Sequence, residues 1–268
     1  VIPENSEIDA SSAPLIDHIL EFRQRLITSL IVFFIAFMIC LTVKEYILDF
    51  LLVPYQWAMK LSGGDPDDIR LQSTQVLETF MTKMKLAAFG GVVLAFPVMA
   101  FQAYRFIAPG LYKDERMAFL PFLIAAPILF VIGAAFVYCV IAPLVLWFSL
   151  SQQLMPNTHL HIEFIARISE YLNFMISLIV AFGLVFQLPV VSSILVRVGL
   201  LSSATLISIR RWAIVVAFIV AAIITPSDLF SMFGLALPTI LLYEISILLA
   251  RRIEKKRNRQ AMADSAST

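Results

Sequence analysis

Charge is what this sequence has least of. Only 15% of its 268 residues are Asp, Glu, Lys or Arg, while 60% are hydrophobic; soluble domains average about 25% and about 45–50%. That balance excludes a water-soluble globular chain and predicts an integral membrane protein. A net charge of +1 gives no sign of a nucleic-acid partner. Cysteine is scarce too. Cys40 and Cys139 both lie in apolar runs, so each reads as a small buried hydrophobe and no disulfide framework is expected. Nine Gly and 13 Pro exclude a low-complexity chain. Catalytic signatures are missing as well: there is no Walker A loop, no His-Glu-x-x-His and no Gly-x-Ser-x-Gly. No nucleotide site or hydrolytic nucleophile is therefore expected, and the chain does not read as an enzyme. If it moves something, the energy must come from elsewhere, and a transmembrane potential is the available source. His159 and His161 have no Cys or carboxylate constellation around them, so neither a metal nor a cofactor is expected.

What is present is a series of long apolar runs. Residues 1–25 carry Glu4, Glu7, Asp9, Asp17 and Glu21; a cleavable signal peptide starts basic. The chain opens at Val1, which implies that its start has been trimmed. Residues 13–26 predict an amphipathic helix, with Ser12 as cap and Pro14 in its first turn. Leu15, Ile19, Phe22 and Leu26 share one face, and Asp17, His18, Glu21, Gln24 and Arg25 the other. Arg23 falls within the apolar sector. It either snorkels to lipid headgroups or fixes this helix against the rest of the protein.

Six spans are expected, at about 26–43, 86–106, 118–142, 171–197, 212–225 and 229–250. Residues 44–85 read as a mixed polar connection interrupted by Pro54, although Gln75–Lys85 could begin the second span early. Gly90, Gly91 and Pro97 predict close packing or a bend there. Met117 to Ile162 carries no charge and is too long for one crossing. The third span is therefore ended near Pro143, with 144–169 as an external loop. The fifth run, Trp212 to Ser227, is short at about 1.5 Å per residue. Residues 253–268 read as a basic, then polar, tail with a disordered end. On this layout fourteen Lys and Arg lie on one side and six on the other. The positive-inside rule then puts both termini in the cytoplasm.

The candidate functional residues are the polar ones that this layout places in or beside the membrane. Lys113, Asp114, Glu115 and Arg116 form a charged break between two apolar runs, at the same face as Glu21. Glu21 and Arg25, spaced i,i+4, can simply pair. Glu115 can simply favour the start of a helix. Thr225-Pro-Ser-Asp228 has the pattern of a capping box. Glu244 lies about 10 Å inside the last span and is either paired or on a polar path. Gln187 is expected to face protein or water.

The segment His18-Ile-Leu-Glu21-Phe22-Arg23-Gln-Arg25-Leu26 resembles the amino-terminal signature of the TatC family, the large subunits of twin-arginine protein translocases. Phe106-Ile-Ala-Pro-Gly-Leu-Tyr-Lys-Asp-Glu115-Arg116 is similar to that family's first cytoplasmic loop, and Thr225-Pro-Ser-Asp228 to its last turn. The resemblance runs from about residue 14 to 252. It implies an all-α polytopic membrane protein of the bacterial inner membrane. Six helices would form a concave bundle with short fifth and sixth members. It further implies that Glu21 and Glu115, with Arg23 and Phe106 beside them, bind the paired arginines of signal peptides. Single-span TatA and TatB would be partners, with self-association into a larger complex, and folded substrates would move at the expense of the proton-motive force. Pro54, Pro97, Gln187, Thr225, Asp228 and Glu244 would serve assembly or an intramembrane polar role. Phe22 replaces the family's usual Leu. Gln187 stands where many members carry Glu, so no ionised carboxylate is available at that position. The competing expectation is a proton-coupled small-solute transporter running through Glu244, Asp228 and Gln187; it requires an internal repeat, and none is convincing between residues 26–142 and 171–250.

Overall fold

A computed structural model describes residues 6–64, 71–73, 76–107, 120–151, 166–224 and 229–267. The described residues are helical throughout except for turns and one two-residue parallel ladder, in which β1 (Leu71–Gln72) pairs with β2 (Ala166–Arg167). The long helices are α1 (Ser6–Thr42), α3 (Glu78–Ile107) and α10 (Leu229–Ser267). The others are α2 (Lys44–Leu61), α4 (Leu120–Phe136), α5 (Ala142–Ser151), α6 (Ile168–Val185), α7 (Leu188–Val198), α8 (Ser203–Ser208) and α9 (Arg210–Ile224). Among the described residues five helical stretches are long and apolar enough to cross a membrane: Ile19–Thr42, Glu78–Phe106, Pro121–Ser151, Ile168–Val198 and Met232–Arg259. α9, at 15 residues, reaches only about 22 Å against a hydrocarbon core of about 30 Å.

Small residues set the α1–α3 contact. A Cβ on Gly91 would lie 3.0 Å from the Phe37 Cα, and one on Gly90 would lie 2.8 Å from the Cys40 Sγ. The two backbones can approach this closely only because these positions carry no side chain. Cys40 is accordingly buried, as expected. Cys139 is exposed, against expectation; it points outward from the turn that joins α4 to α5.

That turn corrects the expected end of the third span. Pro143 has no N–H and was expected to stop the helix. Instead Val137–Ile141 forms a π-helical turn, and the Ala142 N–H reaches back five residues to the Val137 carbonyl. The turn shifts the hydrogen-bond register just before the proline, so helix continues to Ser151 through the first part of the expected external loop. The amphipathic segment and first span are likewise one helix, α1. Residues 44–61, expected as polar connection, form α2 with Pro54 inside it and buried.

The main core lies where α2, α3, the π-turn and α6 meet, and includes Leu51, Leu86, Val137, Leu172, Met175 and Phe182. A second cluster, Val196, Leu206, Ile247 and Ala250, joins α7, α8 and α10. At one end a polar seam ties α2, α3 and α6 together. Lys83 donates to Glu45 at 2.7 Å, Lys85 to Asn173 at 3.3 Å, and the Ser169 hydroxyl to the nearly buried Glu78. The Lys83 ammonium holds the Glu45 carboxyl below the usual carboxylate range.

The expected last span and the polar tail after it are one continuous helix, so the tail is not the disordered end that was expected. α10 is a single helix of 39 residues. Its stretch from Arg251 to Met262 has no Gly or Pro and is rich in Arg, Lys, Glu, Ala and Gln. Those residues are hydrophilic, but they are also strong helix formers.

Candidate functional site

The amino-terminal half of α1 and the carboxyl-terminal turns of α3 meet at one end of the molecule. Glu21 lies on α1, and Arg25, one turn on, pairs with it at 2.8 Å. Arg25 also donates to the Gln102 side chain on α3 at 3.3 Å. One residue from Glu21, the Phe22 ring meets the Phe106 ring edge-on, centroids 5.3 Å apart. Arg105 lies 5.6 Å over the Phe101 ring. The site is thus an acidic side chain, about a quarter exposed, beside an aromatic pair at the point where α3 ends.

Two sequence-predicted members of the site, Glu21 and Phe106, are therefore brought to the same place. Arg23 lies on α1 with its side chain exposed. Glu115, Thr225 and Asp228 lie outside the described residues. Gln102 had no signal in the sequence, because only the α1–α3 register brings it to Arg25.

The other candidates are dispersed. Pro54 is in the core, while Pro97 is exposed on α3. Glu244 pairs with Arg210, the first residue of α9, at 2.7 Å. Gln187 sits at the break between α6 and α7. Its amide donates to the Ala126 carbonyl at 3.0 Å and to the Gly183 carbonyl at 3.3 Å. It also lines a cavity of about 450 Å³ between α3, α4, α6 and α7, whose other walls, including Phe96, Phe130 and Leu184, are almost wholly apolar. Among the described residues no three His, Cys, Asp or Glu side chains converge as a metal site would require.

Residues 17–238 match the model of the family "Sec-independent protein translocase protein (TatC)". This chain belongs to the TatC family. The TatC of Magnetococcus marinus is 40% identical over 95% of this chain and 90% of its own length. The TatC of Rickettsia prowazekii is 42% identical over 90% of this chain and 94% of its own. A crystal structure described as the twin arginine translocase receptor TatC superposes with a TM-score of 0.75. It shares 34% identity and matches 88% of this chain and 99% of the solved one. As a TatC the chain is an inner-membrane component of the twin-arginine protein-transport machinery. The small-solute transporter is not favoured.

Proposed function

We propose that this chain is the receptor core of its translocase, and that it grips the paired arginines of a signal peptide at the end of the molecule where α1 and α3 meet. One observation carries the reading: the Phe22–Phe106 contact sets Glu21 beside the end of α3, from which the segment bearing Glu115 departs. A guanidinium pairs with a carboxylate in a planar, charge-assisted geometry. Two adjacent arginines on a peptide need two separated acidic partners, and Glu21 and Glu115 supply one each. In this reading six helices cross the membrane, α9 among them, with both termini cytoplasmic. The short α9 thins the bilayer locally, easing passage of a folded substrate driven by the proton-motive force. TatA and TatB dock as single-span partners, lipid surrounds the bundle, and the chain associates with further copies of itself. No catalysis, cofactor, metal or nucleic acid enters. The Glu244–Arg210 pair, 2.7 Å apart, supports a bracing role for Glu244 rather than a proton path.

The test is photo-crosslinking from position 115 to a twin-arginine peptide in membranes, alongside peptide affinity. Crosslinking that disappears when the peptide arginines become lysines supports the reading. Crosslinking indifferent to those arginines would overturn it.

A further inference from the structure

Six cations crowd into nine residues where α10 leaves its apolar stretch: Arg251, Arg252, Lys255, Lys256, Arg257 and Arg259, all exposed. They are not on a loose tail. Glu254 accepts the Ser203 backbone N–H at 2.8 Å and the Ser203 hydroxyl, so its carboxylate caps α8. Tyr243 donates to the Leu206 carbonyl at 2.6 Å, and Ile253 packs on the cluster of Val196, Leu206, Ile247 and Ala250. The start of the basic stretch is therefore held rigidly against α7 and α8. Arg210 and Arg211, which open α9, add to the same end. Glu244 and Glu254, on the same helix, have partners of their own, Arg210 and Ser203. Among the described residues no carboxylate forms an ion pair with any of the six cations, and Glu254, the one acid among residues 251–259, offsets only one of their six charges.

Arg251, Lys255 and Arg259 recur every fourth residue and line one shallow groove with Asn258, Met262 and Glu254, whose carboxylate is turned to Ser203. At 1.5 Å per residue the three cover about 12 Å along the helix axis. The polar layer on each side of a hydrocarbon core is about 5–7 Å thick. Beyond it a Debye length of about 8 Å still carries the attraction. All three cations thus lie within reach of lipid phosphates once the apolar part of α10 crosses the bilayer.

We propose that the Arg251–Lys255–Arg259 stripe of α10 is a docking surface for the phosphates of anionic phospholipid headgroups. Arginine matches phosphate oxygens in pairs, and lysine adds a point charge. The Glu254–Ser203 cap fixes which way the stripe faces. The proposal needs only that α10 crosses a bilayer, so it stands apart from peptide recognition at the α1–α3 end.

The full chain, purified in neutral detergent, is titrated with phosphatidylglycerol, with phosphatidylcholine or with inorganic phosphate, and its thermal stability and bound lipid are measured. Phosphatidylglycerol should bind and stabilise, phosphatidylcholine should not, and the effect should fade as salt is raised. The variant Arg251→Gln/Lys255→Gln/Arg259→Gln should bind phosphatidylglycerol about a hundredfold more weakly, at about fivefold per cation removed. Lys44→Gln/Lys60→Gln, at the opposite end, should bind it normally. Should the triple variant fail to fold, Lys255→Gln alone should lose about fivefold. Equal response to the two lipids, a salt-independent response, or undiminished binding in the stripe variants would overturn the proposal. Equal stabilisation by inorganic phosphate would overturn the lipid as its source.

Discussion

The Tyr138 hydroxyl donates to the Phe50 carbonyl at 2.6 Å, and that carbonyl is the one Pro54 leaves without a helical partner. In an unbroken helix the N–H of residue 54 would serve it; proline has none. The two rings stack as well, centroids 4.4 Å apart. One residue on, Tyr171 donates to the Leu51 carbonyl at 2.5 Å. The proline-containing helix is thus held by hydroxyls from the π-turn and from α6.

Tyr138→Phe should destabilise the protein by about 1–3 kcal/mol, because a partly buried carbonyl loses its donor. The cost should shrink in a Pro54→Ala background, where the helix supplies its own N–H. A double-mutant cycle on thermal unfolding in detergent measures this coupling. Additive effects would mean that Tyr138 acts through packing alone.

Gly91→Val should push α1 away from α3. The new Cβ would meet Phe37 backbone, with its nearest atom at 3.0 Å, and backbone cannot swing aside as a side-chain end can. Overpacking of this kind costs about 1–3 kcal/mol. A lower unfolding temperature is expected, together with weaker peptide binding, because the Phe22–Phe106 contact depends on the same helix pair. Wild-type stability would show the α1–α3 contact to be looser than described.

Gln187→Glu should insert and accumulate, since a neutral carboxyl can still donate its one proton to the Ala126 carbonyl, now 3.0 Å from the Gln187 amide. Gln187→Leu should be the less stable variant. It leaves both the Ala126 and Gly183 carbonyls without this donor, at about 1–3 kcal/mol. Membrane protein levels and thermal unfolding of the two variants decide the order, and the reverse order would sink the assignment.

Apolar run length and charge bias were enough to read an all-helical membrane chain, and the motifs around Glu21 and Phe106 pointed to its family. What could not be read was where helices continue. Pro54 and Pro143 both looked like stops, but each break is absorbed by something distant or unusual: a tyrosine 84 residues beyond Pro54, and a π-turn ahead of Pro143. The polar end of α10 looked disordered because hydrophilicity and helix propensity coincide in Lys, Arg, Glu and Gln. At the site, Glu21 and Arg25 were readable as an i,i+4 pair. Gln102 was not, because side-chain register between two helices depends on the Gly90–Gly91 approach.

Glu21→Ala should weaken binding of a twin-arginine peptide by about 30-fold or more. Losing one member of a partly dehydrated charge pair costs about 2–5 kcal/mol, and about 1.4 kcal/mol is a factor of ten. Glu115→Ala should act similarly, and Glu21→Gln should show that charge rather than volume matters. The geometry adds a complication that also sharpens the test. Glu21 already holds Arg25 at 2.8 Å, and Arg25 reaches across to Gln102 on α3. An arriving peptide guanidinium must therefore compete with Arg25. If Glu21 is the ligand, Arg25→Ala should keep or tighten binding, because it frees the carboxylate. Gln102→Ala should be close to neutral. If Glu21 only braces α1 against α3, then Arg25→Ala and Gln102→Ala should weaken the peptide as much as Glu21→Ala does. Equilibrium binding of a labelled peptide to each variant, at matched protein levels and at low and high salt, separates the two. Binding in the wild type should also weaken as salt rises, since this carboxylate is partly exposed.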